Sequence, residues 1–231
     1  MSTDHNHLIE TLPSTQRNAL ERICTPTQLV LGETLCERGD RVRHVYFPVD
    51  AFISLVANVE GHPGLEVGMV GREGMLGMHV VLTVSEAPCQ AVVQGAGLAW
   101  RVEVAAFHRL LANSPALQRT LLRYTAVLMS QLASSAACLR FHEIEPRLAR
   151  WLLMSQDRAH ADHFKVTQEF LAFMLGVRRV GITSAAGKLQ QHGLIAYRRG
   201  AMTVMDRAGL EMAACTCYRT DSATYKRLIA E

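Results

Sequence analysis

Val166-Thr-Gln-Glu-Phe-Leu-Ala-Phe-Met-Leu-Gly176-Val-Arg-Arg179-Val-Gly-Ile-Thr-Ser-Ala-Ala-Gly-Lys188-Leu-Gln-Gln-His-Gly193-Leu-Ile-Ala-Tyr-Arg-Arg-Gly200-Ala-Met-Thr-Val-Met205 is the stretch on which the reading of this chain turns. Thr167 offers a side-chain oxygen to cap a short helix from Gln168 to Leu175, and Gly176 ends it in the left-handed conformation that glycine tolerates. A second helix, from about Arg178 to Gln191, starts after one or two residues and ends at Gly193. Two helices of this length around a glycine-containing turn form a helix-turn-helix pattern. Leu194-Ile-Ala-Tyr197 and Met202-Thr-Val-Met205, split by Arg198-Arg199-Gly200, then read as a two-stranded wing. Asp206 caps a closing helix through Ala214.

The second helix has two faces. Val177, Ile182, Ala185, Ala186 and Leu189 are expected to be buried, leaving Arg178, Arg179, Gly181, Thr183, Ser184 and Lys188 outward. The N-terminal part of such a helix enters the DNA major groove. Arg179 is assigned a guanine contact through O6 and N7, with Arg178, Thr183 and Ser184 reaching bases or phosphates. Thr167 and Gln168 at the start of the first helix, Lys188, and Arg198-Arg199 in the wing are assigned to phosphates. Any one arginine taken alone also reads as a solvated surface charge; the set on one motif points to DNA.

Upstream, a helix from Arg147 to about Ala159 follows Pro146 and carries Leu148, Trp151, Leu152 and Leu153. Before it, Ser114 caps and Pro115 opens a segment without Gly or Pro to about Leu139. Leu117, Leu121, Tyr124, Leu128, Leu132 and Ser135 recur along it in three- and four-residue steps. A helix of about 25 residues spans about 37 Å, and one apolar stripe on it fits pairing with a second copy of the chain. Packing of the same helix across its own barrel is the other reading, and both can hold at different ends. Earlier still, Gln28–Leu31, Val42–Phe47, Ala51–Asn58, Leu65–Val70, Gln90–Val93 and Leu98–Val102 are short strand-like segments punctuated by Gly, Pro or Asp, which fits a barrel or sandwich preceded by a short helix near Pro13 to Ile23. The chain thus divides into residues 10–113, a helix over 114–140, a DNA-binding unit over 141–218, and a helical tail over 219–231.

Charge follows this division. Residues 1–114 hold 8 Lys/Arg and 12 Asp/Glu, a formal −4, whereas residues 115–231 hold 16 and 9, a formal +7, within 231 residues of net charge +3. Such a split places a polyanion-facing module in the second half. At 49% hydrophobic and 19% charged residues, neither a disordered chain nor a coiled-coil rod fits. No apolar run is long enough for a membrane span. The start Met1-Ser-Thr-Asp-His lacks a basic region followed by an apolar stretch, which predicts no secretion signal and a cytoplasmic protein. Six cysteines (Cys24, Cys36, Cys89, Cys138, Cys215 and Cys217) without a Cys-x-x-Cys pair then read as reduced, mostly buried thiols.

The whole chain resembles the Crp/Fnr family of bacterial transcription regulators. The resemblance rests on Cys36-Glu-Arg-Gly-Asp40 and Val45-Tyr-Phe-Pro48, on Thr167-Gln-Glu-Phe-Leu-Ala172 with Leu175-Gly176-Val177, and on Gly193-Leu-Ile195. It implies an α+β chain: an N-terminal β-jelly-roll of the cyclic-nucleotide-binding type, a long dimerisation helix, and a C-terminal winged helix-turn-helix. Double-stranded DNA, a second copy of the chain and RNA polymerase are the implied partners, and no membrane. By the resemblance Arg179 takes the place of the family's guanine-contacting arginine. Val180 stands where a carboxylate often sits, and Ser184 where a second base-reading arginine can occur, so the target sequence need not match that of the best-known members.

In members that bind cyclic AMP, a Gly-Glu-Leu turn takes the ribose and an Arg-Ser pair the phosphate; Gly74-Met75-Leu76 and Pro88-Cys89-Gln90 stand at these places. Met75 accepts no hydroxyl, and Pro88 has neither a cation nor an N–H. A phosphodiester buried there would lose water without a charged partner, so cyclic AMP is not expected to control the protein. Met75, Met78, Val80 and Val81 read either as an apolar pocket or as core. Cys24 and Cys36 are too few for an iron–sulfur cluster, Cys215-Thr-Cys217 reads as unpaired or buried thiols, and His160, Asp162 and His163 read as a polar loop rather than a metal site. Haem at His79 or His108 is not expected, and no cofactor or metal is assigned. Two other classes compare less well: a receptor whose primary event is small-molecule or redox sensing, and an enzyme, for which no nucleophile elbow, phosphate loop, carboxylate pair or zinc-protease helix is present.

Overall fold

A computed structural model describes residues 6–62, 64–159 and 161–230, the last without its side chain. The reading of Met1 to His5, the place of His160, and residues Pro63 and Glu231 lie outside the described residues. The first helix, α1 (His7–Glu10), is capped by Asn6, whose Oδ1 accepts from Ile9 N–H while its Nδ2 donates to the carbonyls of Pro48 and Gly74, both at 2.8 Å. This anchoring puts Leu8 and Ile9 into the barrel core, so the N-terminal domain starts before residue 10. Helix α2 (Ser14–Glu21) follows.

Seven strands then form two antiparallel sheets. They are β1 (Thr25–Leu29), β2 (Thr34–Cys36), β3 (His44–Pro48), β4 (Phe52–Ala57), β5 (Leu65–Val70), and, after helix α3 (Met78–Val81), β6 (Gln90–Gly95) and β7 (Gly97–Glu103). One sheet has the order β1-β7-β3 and the other β2-β6-β4-β5. Strand β4 is buried on both faces from Phe52 to Val56, which explains its continuous apolar run. Strand β2, three residues with a register shift against β6, is too short to show a period in sequence. Helix α4 (Val104–Ala112) continues from β7 at Glu103 without Gly or Pro, so no punctuation announces it.

Helix α5 (Pro115–Phe141) is capped by Ser114, which accepts from Leu117 N–H, and it opens on Pro115 as expected. Its inner stripe belongs to its own chain: Leu117 and Leu121 are 0% exposed and Tyr124 1%, packed with Val45, Phe47 and Phe107 in the barrel core. The assignment of these three to dimerisation is therefore corrected. Leu128 is half-buried against the same sheets, and only Leu132 of the five is exposed.

Helix α6 (Ile144–Ala159) begins before Pro146, not after it; the proline sits in the first turn, where N–H groups have no intrahelical acceptor to lose. Strand β8 (His163–Lys165), α7 (Gln168–Leu175), α8 (Arg179–Gln191), β9 (Ile195–Arg198), β10 (Ala201–Val204) and α9 (Arg207–Ala213) complete the C-terminal domain, whose sheet has the order β8-β10-β9. Helix α10 (Cys217–Tyr225) and a π-helical turn (Lys226–Ala230) run back along α5, and Ile229 joins the barrel core. Residues 219–230 are thus helical and packed on α5. Among the described residues no single helix is long and apolar enough to cross a membrane.

Candidate nucleic-acid interface

Helix α7 forms as its caps dictate. Thr167 Oγ1 accepts from Phe170 N–H at 3.1 Å, and Gly176 closes the helix at φ 61, ψ 41. Arg147, buried on α6, donates to the Leu175 carbonyl and places a cation at the α7 C-terminus, where the peptide dipoles favour it. The chain turns by 107° between α7 and α8, within the range of a helix-turn-helix. Ile182, Ala185, Ala186 and Leu189 anchor α8 in the domain core with Leu148, Leu152 and Leu171, while Val177 is only half-buried at its edge.

At about 100° per residue the four buried positions fix the orientation of α8. Val180, Ser184, Gly187 and Gln191 lie opposite them, with Arg179 and Thr183 along one flank and Gly181 and Lys188 along the other. Arg178, Arg179, Thr183 and Ser184 are all exposed, as expected. Gly181 does not belong to the outward set: a Cβ there would meet Ile144 Cδ1 at 2.6 Å, so its place is a close approach of α8 to α6. Lys188 lies on the same flank, its Nζ 3.3 Å from Glu145 Oε2, which satisfies the charge assigned to a phosphate. Thr183 Oγ1 is 2.7 Å from Gln168 Oε1 and donates to it, which leaves the Gln168 amide N–H groups outward and ties α7 to α8.

The wing turns through Arg199 and Gly200, at φ 52 and φ 79, between the paired residues Arg198 and Ala201. Two successive positive φ angles in a two-residue loop are the type I′ hairpin geometry. Tyr197 Oη donates to the Val166 carbonyl at 2.8 Å, and Val166 N–H to Gly200 O at 2.8 Å, so the wing is fastened to the strand that leads into α7. Arg198 and Arg199 are exposed at its tip.

One residue escaped the sequence reading, and another was read only for the carboxylate it lacks. Lys165, exposed and paired with Ala201, adds a cation beside the wing; its strand β8 is too short to signal itself. Val180, 72% exposed at the centre of the outward face of α8, is an apolar group of the kind that contacts a thymine methyl.

The five residues assigned to a degenerate effector pocket do not line one cavity. Met75 is fully buried in the barrel core, and a Cβ on Gly74 would meet Tyr124 Oη at 1.8 Å, so the ring of α5 lies directly on the turn. Pro88 is exposed and Cys89 half-buried. Only Leu76 lines the 380 Å³ cavity shared by Cys36, Arg41, Arg43, Tyr46 and His79.

Residues 146–213 match the Crp-like helix-turn-helix domain family. No curated protein sequence matches the chain. Among solved structures, the c-di-GMP-responsive global regulator CLP of Xanthomonas campestris is similar over 84% of this chain and 100% of its own, at 14% identity and a TM-score of 0.68. FixK2 of Bradyrhizobium japonicum is similar over 84% and 98%, at 13% identity and a TM-score of 0.68. A CRP-family transcriptional regulator of Thermus thermophilus, TTHB099, is similar over 81% and 96%, at 20% identity and a TM-score of 0.67. Residues 146–213 thus form a Crp-like helix-turn-helix domain, set in a fold shared with solved Crp/Fnr-type regulators.

Proposed function

We propose that the protein is a sequence-specific DNA-binding regulator that acts in the cytoplasm as a homodimer on a palindromic promoter site. The observation that carries this reading is the exposed face of α8, with Arg178, Arg179, Thr183 and Ser184 free of the core, flanked by Lys165, Arg198 and Arg199. Helix α8 enters the major groove, Arg179 reads a guanine, Val180 packs on a thymine methyl, and the N-terminus of α7 and the wing hold phosphates.

The dimer seam is the outer stripe of α5. Leu122, Ala126, Met129, Ala133 and Ala136 are exposed and follow alternating four- and three-residue steps, the spacing of a helix pair. The three alanines among them let two helices approach closely. RNA polymerase is the further partner that a promoter-bound regulator would meet. Cyclic AMP does not control the protein: Tyr124 covers Gly74, Met75 is core, and Pro88 carries no cation for a phosphate. The 380 Å³ cavity with Arg41 and Arg43 in its wall supports a second reading, a receptor for another small molecule; melting shifts with a panel of nucleotides and metabolites test it.

Selection of bound DNA from random duplexes tests the main reading. It is expected to return a palindrome with half-sites about 10 base pairs apart. Arg179→Ala is expected to reduce discrimination at one base pair by about 1–3 kcal/mol. If that variant keeps both affinity and preference, Arg179 is not the reading residue.

A further inference from the structure

Four side chains from distant parts of the sequence converge where α5 ends. Cys138 is in the last turn of α5, His142 is its C-cap, Cys215 lies in the link from α9 to α10, and Cys217 opens α10. One ligand atom from each of the four lies within 4.8 Å of all the others. Cys138 Sγ is 3.5 Å from Cys215 Sγ, and Cys217 Sγ is 3.7 Å from His142 Nδ1. Cys138 and Cys215 are buried and the other two half-buried, so the cluster is closed on its protein side.

These separations are those of a tetrahedral mononuclear site. Four ligands about 2.3 Å from a central ion stand about 3.8 Å from one another. Three sulfurs and an imidazole form a soft donor set that suits Zn²⁺, a d¹⁰ ion indifferent to geometry. Four protein ligands leave no open position, which is the pattern of a structural rather than a catalytic zinc. Arg147 and Arg150 line the same small cavity as Cys138 and offset the single negative charge that three thiolates, a neutral imidazole and Zn²⁺ carry together.

We propose that Cys138, His142, Cys215 and Cys217 form a structural Zn²⁺ site. On binding, three S–H bonds are replaced by three Zn–S bonds, the three protons leave to solvent, and nothing is oxidised or reduced. The site spans the two-residue break between α5 and α6 and joins it to the segment after the helix-turn-helix. Zinc therefore braces the hinge between the long helix and the C-terminal domain. A Cys138–Cys215 disulfide would engage only two of the four groups and would leave His142 and Cys217 without a role.

The full-length protein, purified without chelator and equilibrated with Zn²⁺, is expected to carry about one Zn²⁺ per chain by elemental analysis. Replacement by Co²⁺ is expected to give thiolate charge-transfer absorption and the intense visible bands of a tetrahedral ion. Cys138→Ser and Cys217→Ser should lose the bound metal, whereas Cys24→Ser and Cys89→Ser, at thiols outside the cluster, should keep it. His142→Ala should shift the Co²⁺ visible bands. If the buried Cys138→Ser variant does not fold, the half-buried Cys217→Ser variant and the wild-type Co²⁺ spectrum still decide. A wild-type protein that takes up neither ion overturns the proposal. So does metal retained in folded Cys138→Ser and Cys217→Ser, or a Cys138–Cys215 disulfide found by mass spectrometry in place of metal.

Discussion

Arg199 stands at φ 52, a left-handed conformation that disfavours a β-carbon by roughly 1 kcal/mol or more. The turn would be easier to make with glycine in both central positions, yet an arginine occupies the first and projects from the wing tip. Its charge is thus held at an energetic disadvantage to folding, which fits a role in binding phosphate. Arg199→Gly is expected to raise the unfolding free energy by up to about 1 kcal/mol and to weaken DNA binding at every sequence alike. The slope of log affinity against log salt should fall by about one. A variant that is more stable yet binds with an unchanged salt slope would remove Arg199 from the interface. Gly176 is the contrasting case, because there the left-handed turn carries glycine and a Cβ would meet Leu65 Cδ1 on β5 at 2.7 Å. Gly176→Ala should therefore lower stability by about 1–3 kcal/mol, part of which Leu65→Ala recovers only if the docking of α7 on the barrel is real in solution. Thermal melting of the two single variants and the double variant measures that coupling.

At the scale of elements, α5 is a helix with two apolar stripes, one inward and one exposed. The inner stripe, with Leu117, Leu121, Tyr124 and Val127, fills the barrel, and the outer one, with Leu122 and Met129, is exposed among the described residues. Leu121→Ala should destabilise the fold by about 2–5 kcal/mol. Met129→Glu, at a side chain 66% exposed, should leave the melting temperature of the monomer nearly unchanged while dissociating the dimer, as read by sedimentation. A Met129→Glu protein that still sediments as a dimer would place the seam elsewhere. The two stripes also mark the limit of what periodicity conveys. The spacing of Leu117, Leu121 and Tyr124 reveals a helix and an apolar face, but two faces of one helix share that period, and only tertiary packing says which is the inner one. Helix α7 was legible to the residue because both ends are written in cap chemistry, at Thr167 and Gly176. Strand β2 and helix α4 were not, for want of length or of a punctuating residue. Gly181 was misplaced for a related reason: it borders the buried arc of α8, and whether its edge is open depends on where Ile144 of another helix lies. The metal-ligand cluster was invisible because Cys138 and Cys215 stand 77 residues apart and meet only when α10 folds back on α5.

Across the whole molecule the surplus of positive charge in the second half serves two ends. Arg147, Arg150 and Arg158 are buried, on the Leu175 carbonyl, Asp221 and Glu73 respectively, so part of the basic excess is spent inside the fold, and Arg158 joins α6 to the barrel. The seam they guard also contains the half-buried Glu66 of β5, which accepts from Trp151 Nε1 at 2.9 Å and from Ser54 Oγ. Burial pushes the Glu66 carboxyl up to about 7, although the bonds from Ser54 and Trp151 and the charges of Arg158 and Arg150 all act in the opposite direction. In the unfolded chain the same carboxyl titrates near its ordinary value of 4.5. Between these two values the folded state binds more protons than the unfolded state, so this contribution to stability is complete below about 4.5 and is lost as pH rises through about 7. The half-buried His7, His44 and His79 work the other way, because burial lowers their basicity and favours the folded state at higher pH. The slope of the wild-type protein alone therefore cannot isolate Glu66, and a difference measurement does. Glu66→Gln keeps an acceptor for Trp151 and carries no charge. Its melting temperature should match the wild type near pH 4 and exceed it at pH 8, by a stability difference on the order of 3 kcal/mol at most. Parallel pH profiles for the two proteins would mean that Glu66 is ionised in the fold already at pH 5, and that the arginines outweigh its burial.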